Sequence, residues 1–164
     1  MNWRRIVMTG MLLCAQWLSG PVLADEMLML RLNMKAELAV EYLQTSIEEH
    51  GYSIAHIQLC DGGMKDFGYE SDTYRVVFFG KVDEVRRISE SHPEFAAYVP
   101  LKMIVVAEGD ESVVSIVNPR TFNQYYQGDE QMRIQFARWY NDIRSIFVDM
   151  SKAAGQKQLA SSQM

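Results

Sequence analysis

The chain has 164 residues, with 16 lysines and arginines against 21 aspartates and glutamates, and a net charge of −5. This length suits a single domain that buries its own hydrophobic core. The acidic balance argues against a nucleic-acid-binding protein, because phosphate backbones call for a basic surface.

The first 24 residues have the layout of a cleavable secretory signal. Arg4 and Arg5 precede the apolar run "IVMTGMLLCAQWL", and small or apolar residues lead to Ala24. The run is shorter than the roughly 20 apolar residues that span a membrane, so cleavage is favoured over a lasting membrane anchor. The sequence therefore predicts an exported, periplasmic protein. Cleavage would leave 14 basic and 21 acidic residues, a net charge of −7, and Cys60 as the one cysteine, which excludes an internal disulfide.

The rest of the chain begins with a predicted strand and helix. Apolar residues alternate in "MLMLRLNM", residues 27–34, as they do in a strand. Asn33 then caps a predicted helix over about 35–50, where apolar residues recur every three or four positions until Gly51. The runs "YSIAHIQLC" and "TYRVVFFG" predict two strands, separated by the long turn "DGGMKDFGYESD".

The second half predicts another helix, a hairpin and a last helix. "KVDEVRRISESH" has helical spacing up to Pro93, and "LKMIVVAE" and "SVVSIVNP" form a hairpin across "GDE". An aromatic loop, "TFNQYYQ", leads to a helix that begins after Asp129 and ends before Gly155. The predicted order is β-α-β-β-α-β-β-α. It indicates an α+β fold, a mainly antiparallel sheet with helices on one face.

The last helix carries an apolar stripe at spacings of four and three residues: Met132, Phe136, Trp139, Ile143, Ile146 and Met150. Such a stripe can pack on its own domain or pair with the same helix of a second protomer. Further apolar residues such as Ile134 widen the stripe beyond a narrow seam, which favours packing within the domain.

Three stretches within residues 35–119 resemble the DUF302 family, a domain family without an assigned function: "HGYSI", "YRVVFFGKVDEV" and "HPEFAAYVPLKMIVVAEGDESVVSIVNP". The resemblance implies a fold similar to TATA-binding-protein-like α+β domains and a homodimer, without implying DNA binding. Many members carry a cysteine before the second helix and another after the "P-L" turn. Here those places read Phe79-Gly80-Lys81 and Leu101-Lys102-Met103, so any thiol role there is absent.

The sequence pattern and the resemblance together divide the chain into four predicted parts. Residues 1–24 are the signal, and 25–119 are the DUF302-like domain. A helical extension at 120–154 packs on the domain or on a dimer partner. The tail at 155–164 lacks periodicity and is predicted to be disordered.

The stretch "HIQLCDGGM" places His56, Cys60 and Met64 at four-residue intervals, a set of soft ligands that suits copper or zinc. On a strand each residue advances about 3.3 Å, so His56 and Cys60 stand about 13 Å apart along the chain. That distance is too long for two ligands of one metal ion. We therefore expect no metal and no cofactor, and a copper or haem carrier that uses these residues remains the alternative.

Cys60 also lacks the setting of a catalytic thiol. Asp61 and Asp66 are negative neighbours, which do not favour the thiolate, and no base is within reach along the sequence. A disulfide between the Cys60 residues of two protomers is favoured over catalysis in an oxidising compartment.

Four carboxylate pairs are interpreted as solvated or helix-capping residues rather than acid/base groups: Glu48-Glu49, Asp83-Glu84, Asp110-Glu111 and Asp129-Glu130. The sequence has no glycine-rich phosphate loop and no HExxH or GxSxG motif. The loop "TFNQYYQ" is interpreted as a cover over the domain, with a ligand contact as the alternative.

These observations predict a non-enzymatic binding or accessory protein of the periplasm. We expect a homodimer with an unidentified small ligand or protein partner and no nucleic-acid partner. A metal or haem carrier and a thiol-dependent enzyme are the competing hypotheses.

Overall fold

The computed structural model describes residues 26–60, 67–68 and 73–161, with side chains up to residue 155. The predicted signal at 1–24 and Met64 lie outside these ranges. Within them the element order is β-α-β-β-α-β-β-α, so the predicted α+β fold is confirmed.

The strands are β1 (Met27–Leu32), β2 (Ser53–Leu59), β3 (Tyr74–Gly80), β4 (Leu101–Glu108) and β5 (Glu111–Val117). The helices are α1 (Ala36–Glu49), α2 (Val82–Ser91) and α3 (Glu130–Ser161). Short 3-10 turns occupy Pro93–Ala97 and Pro119–Gln124.

The five strands form one antiparallel sheet in the order β1-β5-β4-β3-β2. Alternate residues of each strand point to the helices and enter the hydrophobic core, as period-2 geometry requires. The core side chains of the three central strands include Val77, Phe79, Met103, Val105 and Val114, each fully buried.

The opposite side of the sheet lies outside this core. We call it the outer sheet face and define it by seven apolar residues: Met27, Met29, Val76, Phe78, Ile104, Val106 and Val117. The strand register places these side chains on one side, and none belongs to the core cluster. The helices therefore pack on one face, as predicted.

One part of β2 differs from the sequence prediction. Simple alternation placed Ala55, Ile57 and Leu59 on a common face, but the register shifts between Ile54 and His56. Ile54 and Ile57 both pack on the core, whereas Ala55 between them is exposed. Leu59 shares the face of Ile57 but is 66% exposed at the end of the strand. A bulge adds one residue to one strand, and this changes which parity faces inward.

Helix α3 packs within its own chain. All six residues of the predicted stripe are at most 2% exposed. The Ser46 hydroxyl of α1 donates to the Ile146 carbonyl at 3.5 Å, which places the two helices side by side. Packing on the chain's own domain is therefore the correct interpretation of the stripe.

The end of α3 corrects another expectation. The helix continues through Gly155 to Ser161, so the predicted tail at 155–164 begins inside a helix. One glycine in a helix interior costs only about 1 kcal/mol relative to alanine and does not by itself end the helix.

Candidate functional site

The residues singled out from the sequence lie at the edge of the sheet. His56 is exposed on β2, with its ring centroid 6.1 Å from that of Phe78. Cys60 follows β2 as a partly exposed free thiol, and its backbone amide donates to the Tyr74 carbonyl at 3.0 Å. Among the residues that the structure describes, no group of three or more histidine, cysteine or acidic side chains is placed to hold a metal ion.

The other two histidines contact carboxylates of α3 or its N-terminal cap. His50 Nε2 lies 3.0 Å from Asp149 Oδ2, and this contact, followed by that of Lys152, holds the pKa of Asp149 below its usual value. His92 Nε2 lies 3.0 Å from Asp129 Oδ2. Both rings thus join neighbouring elements to α3.

A cluster of aromatic side chains forms the part of the core next to the two 3-10 turns. Its neighbouring ring centroids lie 4.6–6.2 Å apart, within the range of favourable aromatic pairs. We call it the aromatic cluster; its members are Phe95, Tyr98, Phe122, Tyr126, Phe136 and Trp139. The loop "TFNQYYQ" supplies Phe122 and Tyr126, so it covers the domain as predicted.

The aromatic cluster leaves a cavity of about 240 Å³ between itself and one end of the sheet. Its walls are mainly apolar, and they include Phe95, Tyr98, Phe122 and Trp139 of the aromatic cluster together with Leu101 and Ile116 of the sheet. Lys102 is the one charged residue of the lining, and its ammonium donates to the Ala97 carbonyl at 2.7 Å. Apolar walls with a few polar groups are typical of small-molecule sites, and this volume lies just below their usual range.

A polar network lies on the other side of Trp139. The Glu84 carboxylate accepts hydrogen bonds from Arg138 at 2.6 Å and from the Trp139 indole at 3.2 Å. Gln135, which is 4% exposed, donates to the same carboxylate and accepts from Arg87. Glu84 therefore fixes one wall of the cavity through Trp139. Of the two interpretations of its carboxylate pair, solvated or helix-capping, the position in the first turn of α2 agrees with the second.

The pKa values in this network follow from burial and partners. Burial alone would raise the pKa of Glu84, but the hydrogen bond and charge of Arg138 hold it below its usual value. Burial, together with the 2.6 Å hydrogen bond to Asp142, raises the pKa of the Tyr52 hydroxyl far above its usual range. Tyr52 thus remains a neutral donor, and the network has the properties of a structural ion-pair system.

The sequence matches the family model described as "Domain of unknown function DUF302" over residues 29–150. The chain belongs to the DUF302 family. The matched range takes in most of α3, so this helix is part of the DUF302 domain and not an addition to it.

A solved DUF302 structure has a similar fold. It is the crystal structure of the uncharacterized conserved protein DUF302 from Bacillus stearothermophilus, with a TM-score of 0.67 and 12% sequence identity. The superposition covers 77% of this chain and 99% of that one. At this identity the likeness concerns the fold. None of the curated proteins matches the chain.

The structure also bears on the membrane. Within the described residues, none of the helices combines the length and the apolar composition that crossing a bilayer requires.

Proposed function

We propose that this DUF302 protein is a non-enzymatic binding domain that takes up a small, largely apolar ligand in the cavity beside the aromatic cluster. The observation that carries the proposal is the cavity itself, an apolar space of about 240 Å³ with four aromatic walls. A ligand with one or two rings fits this size, and stacking on aromatic rings contributes about 0.5–1.5 kcal/mol per pair beyond burial.

Lys102 makes an acidic ligand the best fit. Its ammonium donates to the Ala97 carbonyl at 2.7 Å and lies 6.0 Å from the centroid of the Phe78 ring. A carboxylate at the mouth of the cavity would accept a charge-assisted hydrogen bond from the remaining ammonium protons. The proposed ligand class is therefore a small aromatic or alicyclic acid.

Blocking the mouth of the cavity tests the site. Ala97 is exposed and lines the cavity, whereas the adjacent Ala96 is exposed and does not. We expect Ala97→Trp to weaken the binding of 2-naphthoate by about tenfold or more, because the indole fills the space that the ligand needs. Ala96→Trp should leave binding unchanged. Isothermal titration calorimetry measures both, and absence of 2-naphthoate binding to the wild-type protein would refute the site.

The role of Lys102 is tested separately. We expect Lys102→Met to weaken binding of 2-naphthoate by about tenfold while leaving its neutral analogue 2-naphthylmethanol unaffected, because only the anion loses a charge-assisted hydrogen bond. Equal loss for both compounds would assign Lys102 a packing role instead.

A second part of the proposal is a homodimer formed through the outer sheet face. This face carries contiguous apolar side chains without a covering helix among the described residues; Met29 and Val117 on it are 64% and 45% exposed. Large exposed apolar patches commonly mark protein–protein contacts.

The third part of the proposal is that the protein is exported to the periplasm. The signal-like pattern of residues 1–24 supports it.

Charge on the outer sheet face should separate the protomers. Ile104 is central on this face, because its strand β4 is the middle strand of the sheet. We expect Ile104→Glu to convert a dimer to a monomer, since it buries an unpaired carboxylate in the interface. Ile134→Glu, on the exposed side of α3, is the matched control and should leave the dimer intact. Analytical ultracentrifugation distinguishes the two, and a monomeric wild-type protein would overturn this part.

A further inference from the structure

The two edge strands of the sheet, β1 and β2, differ in how well they are protected against pairing with a strand of another protein. Unpaired edge strands invite further strands, and proteins commonly protect them with bulges or polar residues. The β2 edge has such protection, because it is bulged next to His56 and carries the polar Gln58. The β1 edge has no bulge: its register with β5 is unbroken over six residues, and Met27 to Leu30 are all apolar. Its one charged residue, Arg31, is paired with Glu108 and Glu111 of the β4–β5 hairpin.

The backbone of β1 presents free hydrogen-bonding groups on this edge. The Asn118 amide donates to the Glu26 carbonyl at 2.9 Å, so Glu26 and Asn118 form a hydrogen-bonded pair of the antiparallel ladder. Such pairs alternate along a ladder. Leu28 and Leu30 therefore bond to β5, while Met27, Met29 and Arg31 direct their amides and carbonyls away from the sheet. Within the part of the chain that the structure describes, no strand pairs with them.

A groove of about 610 Å³ runs beside this edge, between β1 and α3. Phe147 and Val148 give it an apolar wall, and Arg144 and Lys152 give it two cations. Among the residues that the structure describes, its lining contains no carboxylate, and the acidic partner of Lys152 is Asp149, which accepts a hydrogen bond from it at 3.1 Å. A strand lying here would bond to β1 with its backbone while alternate side chains met the apolar wall and the cations.

We propose that β1 is a docking edge for an extended acidic segment of a partner protein, which joins the sheet as a sixth strand. Main-chain hydrogen bonds supply most of the affinity in such strand addition, and side-chain pockets supply the specificity. Arg144 and Lys152 select glutamate or aspartate on the side chains that face α3. This interface is independent of the ligand cavity.

The same charges disfavour a second copy of this chain on the edge. Antiparallel pairing of β1 with another β1 relates the two protomers by a two-fold axis perpendicular to the sheet. The two α3 helices then lie on the same face and approach each other, so Arg144 and Lys152 meet their own counterparts. Like charges in an interface act against the pairing.

The test uses an acetylated peptide of about eight residues that alternates valine and glutamate, and a matched peptide with lysine in place of glutamate. Nuclear magnetic resonance measures binding to the purified protein and the hydrogen exchange of individual amides. We expect the acidic peptide to bind about tenfold tighter than the basic one and to slow exchange at Met27, Met29 and Arg31. No binding of the acidic peptide at about 1 mM, or equal binding of the two, overturns the proposal.

Two pairs of variants separate backbone pairing from other contacts. Met29→Pro removes an outward amide without breaking a bond to β5, whereas Met29→Ala removes the same side chain and keeps the amide. Arg144→Glu reverses the groove charge, and Arg133→Glu reverses an exposed charge at the distant end of α3. We expect Met29→Pro and Arg144→Glu to weaken the acidic peptide about tenfold and the two controls to retain it. Equal loss in Met29→Ala and Met29→Pro overturns strand addition.

Hydrogen exchange of the protein without peptide tests the two other possible occupants of the β1 edge, a second copy of the protein and another part of the same chain. This test needs no variant. Protection of the Met27, Met29 and Arg31 amides that rises with protein concentration would show a second copy on the edge. Protection that is the same at every concentration would show that the chain itself fills the edge. Either result overturns the proposal, and fast exchange without peptide supports it.

Discussion

Phe136→Ala is expected to lower the free energy of unfolding by about 3–5 kcal/mol, the usual cost of truncating a fully buried phenylalanine. Phe136 is 0% exposed, and its ring contacts those of Phe95, Phe122, Tyr126 and Trp139 at centroid distances of 5.5–6.1 Å. Removing it leaves a space that none of these rings can fill without leaving its other contacts. Urea unfolding followed by circular dichroism measures the loss.

Phe67→Ala provides the matched control. Phe67 is 88% exposed, so the same truncation removes little buried surface and should change stability by less than about 0.5 kcal/mol. A Phe136→Ala protein within about 1 kcal/mol of the wild type would contradict the central place given to this ring in the core. It would also weaken the case for a firmly walled cavity beside it.

The elements that depend on local periodicity were predictable from the sequence. The stripe of α3 is the clearest example, because a side chain's face on a helix depends only on its position in the repeat. Met132 and Met150 were assigned to one face across 18 residues, and both are 1% exposed. The hairpin of β4 and β5 was predictable for the same reason, from two apolar runs around a short polar turn.

Features that depend on one residue in its tertiary setting were not predictable. No residue type or spacing in the sequence indicates the bulge at Ala55. The bulge nevertheless determines that Ile54, and not Ala55, packs on the core. Gly155 shows the converse error. Glycine is a common helix stop, so the sequence predicted the end of α3 there, but the helix continues through this residue.

The candidate site was the least predictable part. Its walls come from the turn after α2, from β4 and β5, from the loop before α3 and from α3, and no motif marks them in the sequence. The aromatic loop "TFNQYYQ" was the signal that the sequence offered; it was interpreted as a cover over the domain, with a ligand contact as the alternative. Glu84 was interpreted as a solvated or helix-capping residue, and its contact with Trp139 could not be predicted because the two residues lie 55 positions apart in the sequence.

The contribution of Glu84 to stability should depend on pH. Its pKa is lower in the folded protein than the ordinary value of 4.5, so the folded state favours the charged form. A carboxylate of this kind stabilises the fold fully above its unfolded pKa, and the stabilisation is lost as the pH falls through the folded value. The window of loss therefore begins near pH 4.5 and extends below it.

Glu84→Gln is expected to destabilise the protein by about 1.5–3 kcal/mol at pH 7, because Arg138 loses a charged acceptor in a partly buried place. At about pH 3, below the pKa of the unfolded state, the unfolded chain takes up a proton that the folded carboxylate disfavours, so the difference between the two proteins should be smaller than at pH 7. Glu90→Gln, an exposed change on the same helix, should have little effect at either pH. Urea titrations of all three proteins at both pH values measure the differences. A Glu84→Gln deficit of equal size at pH 7 and pH 3 would mean that shape complementarity, and not the charge on Glu84, holds Arg138 and Trp139 in place beside the cavity.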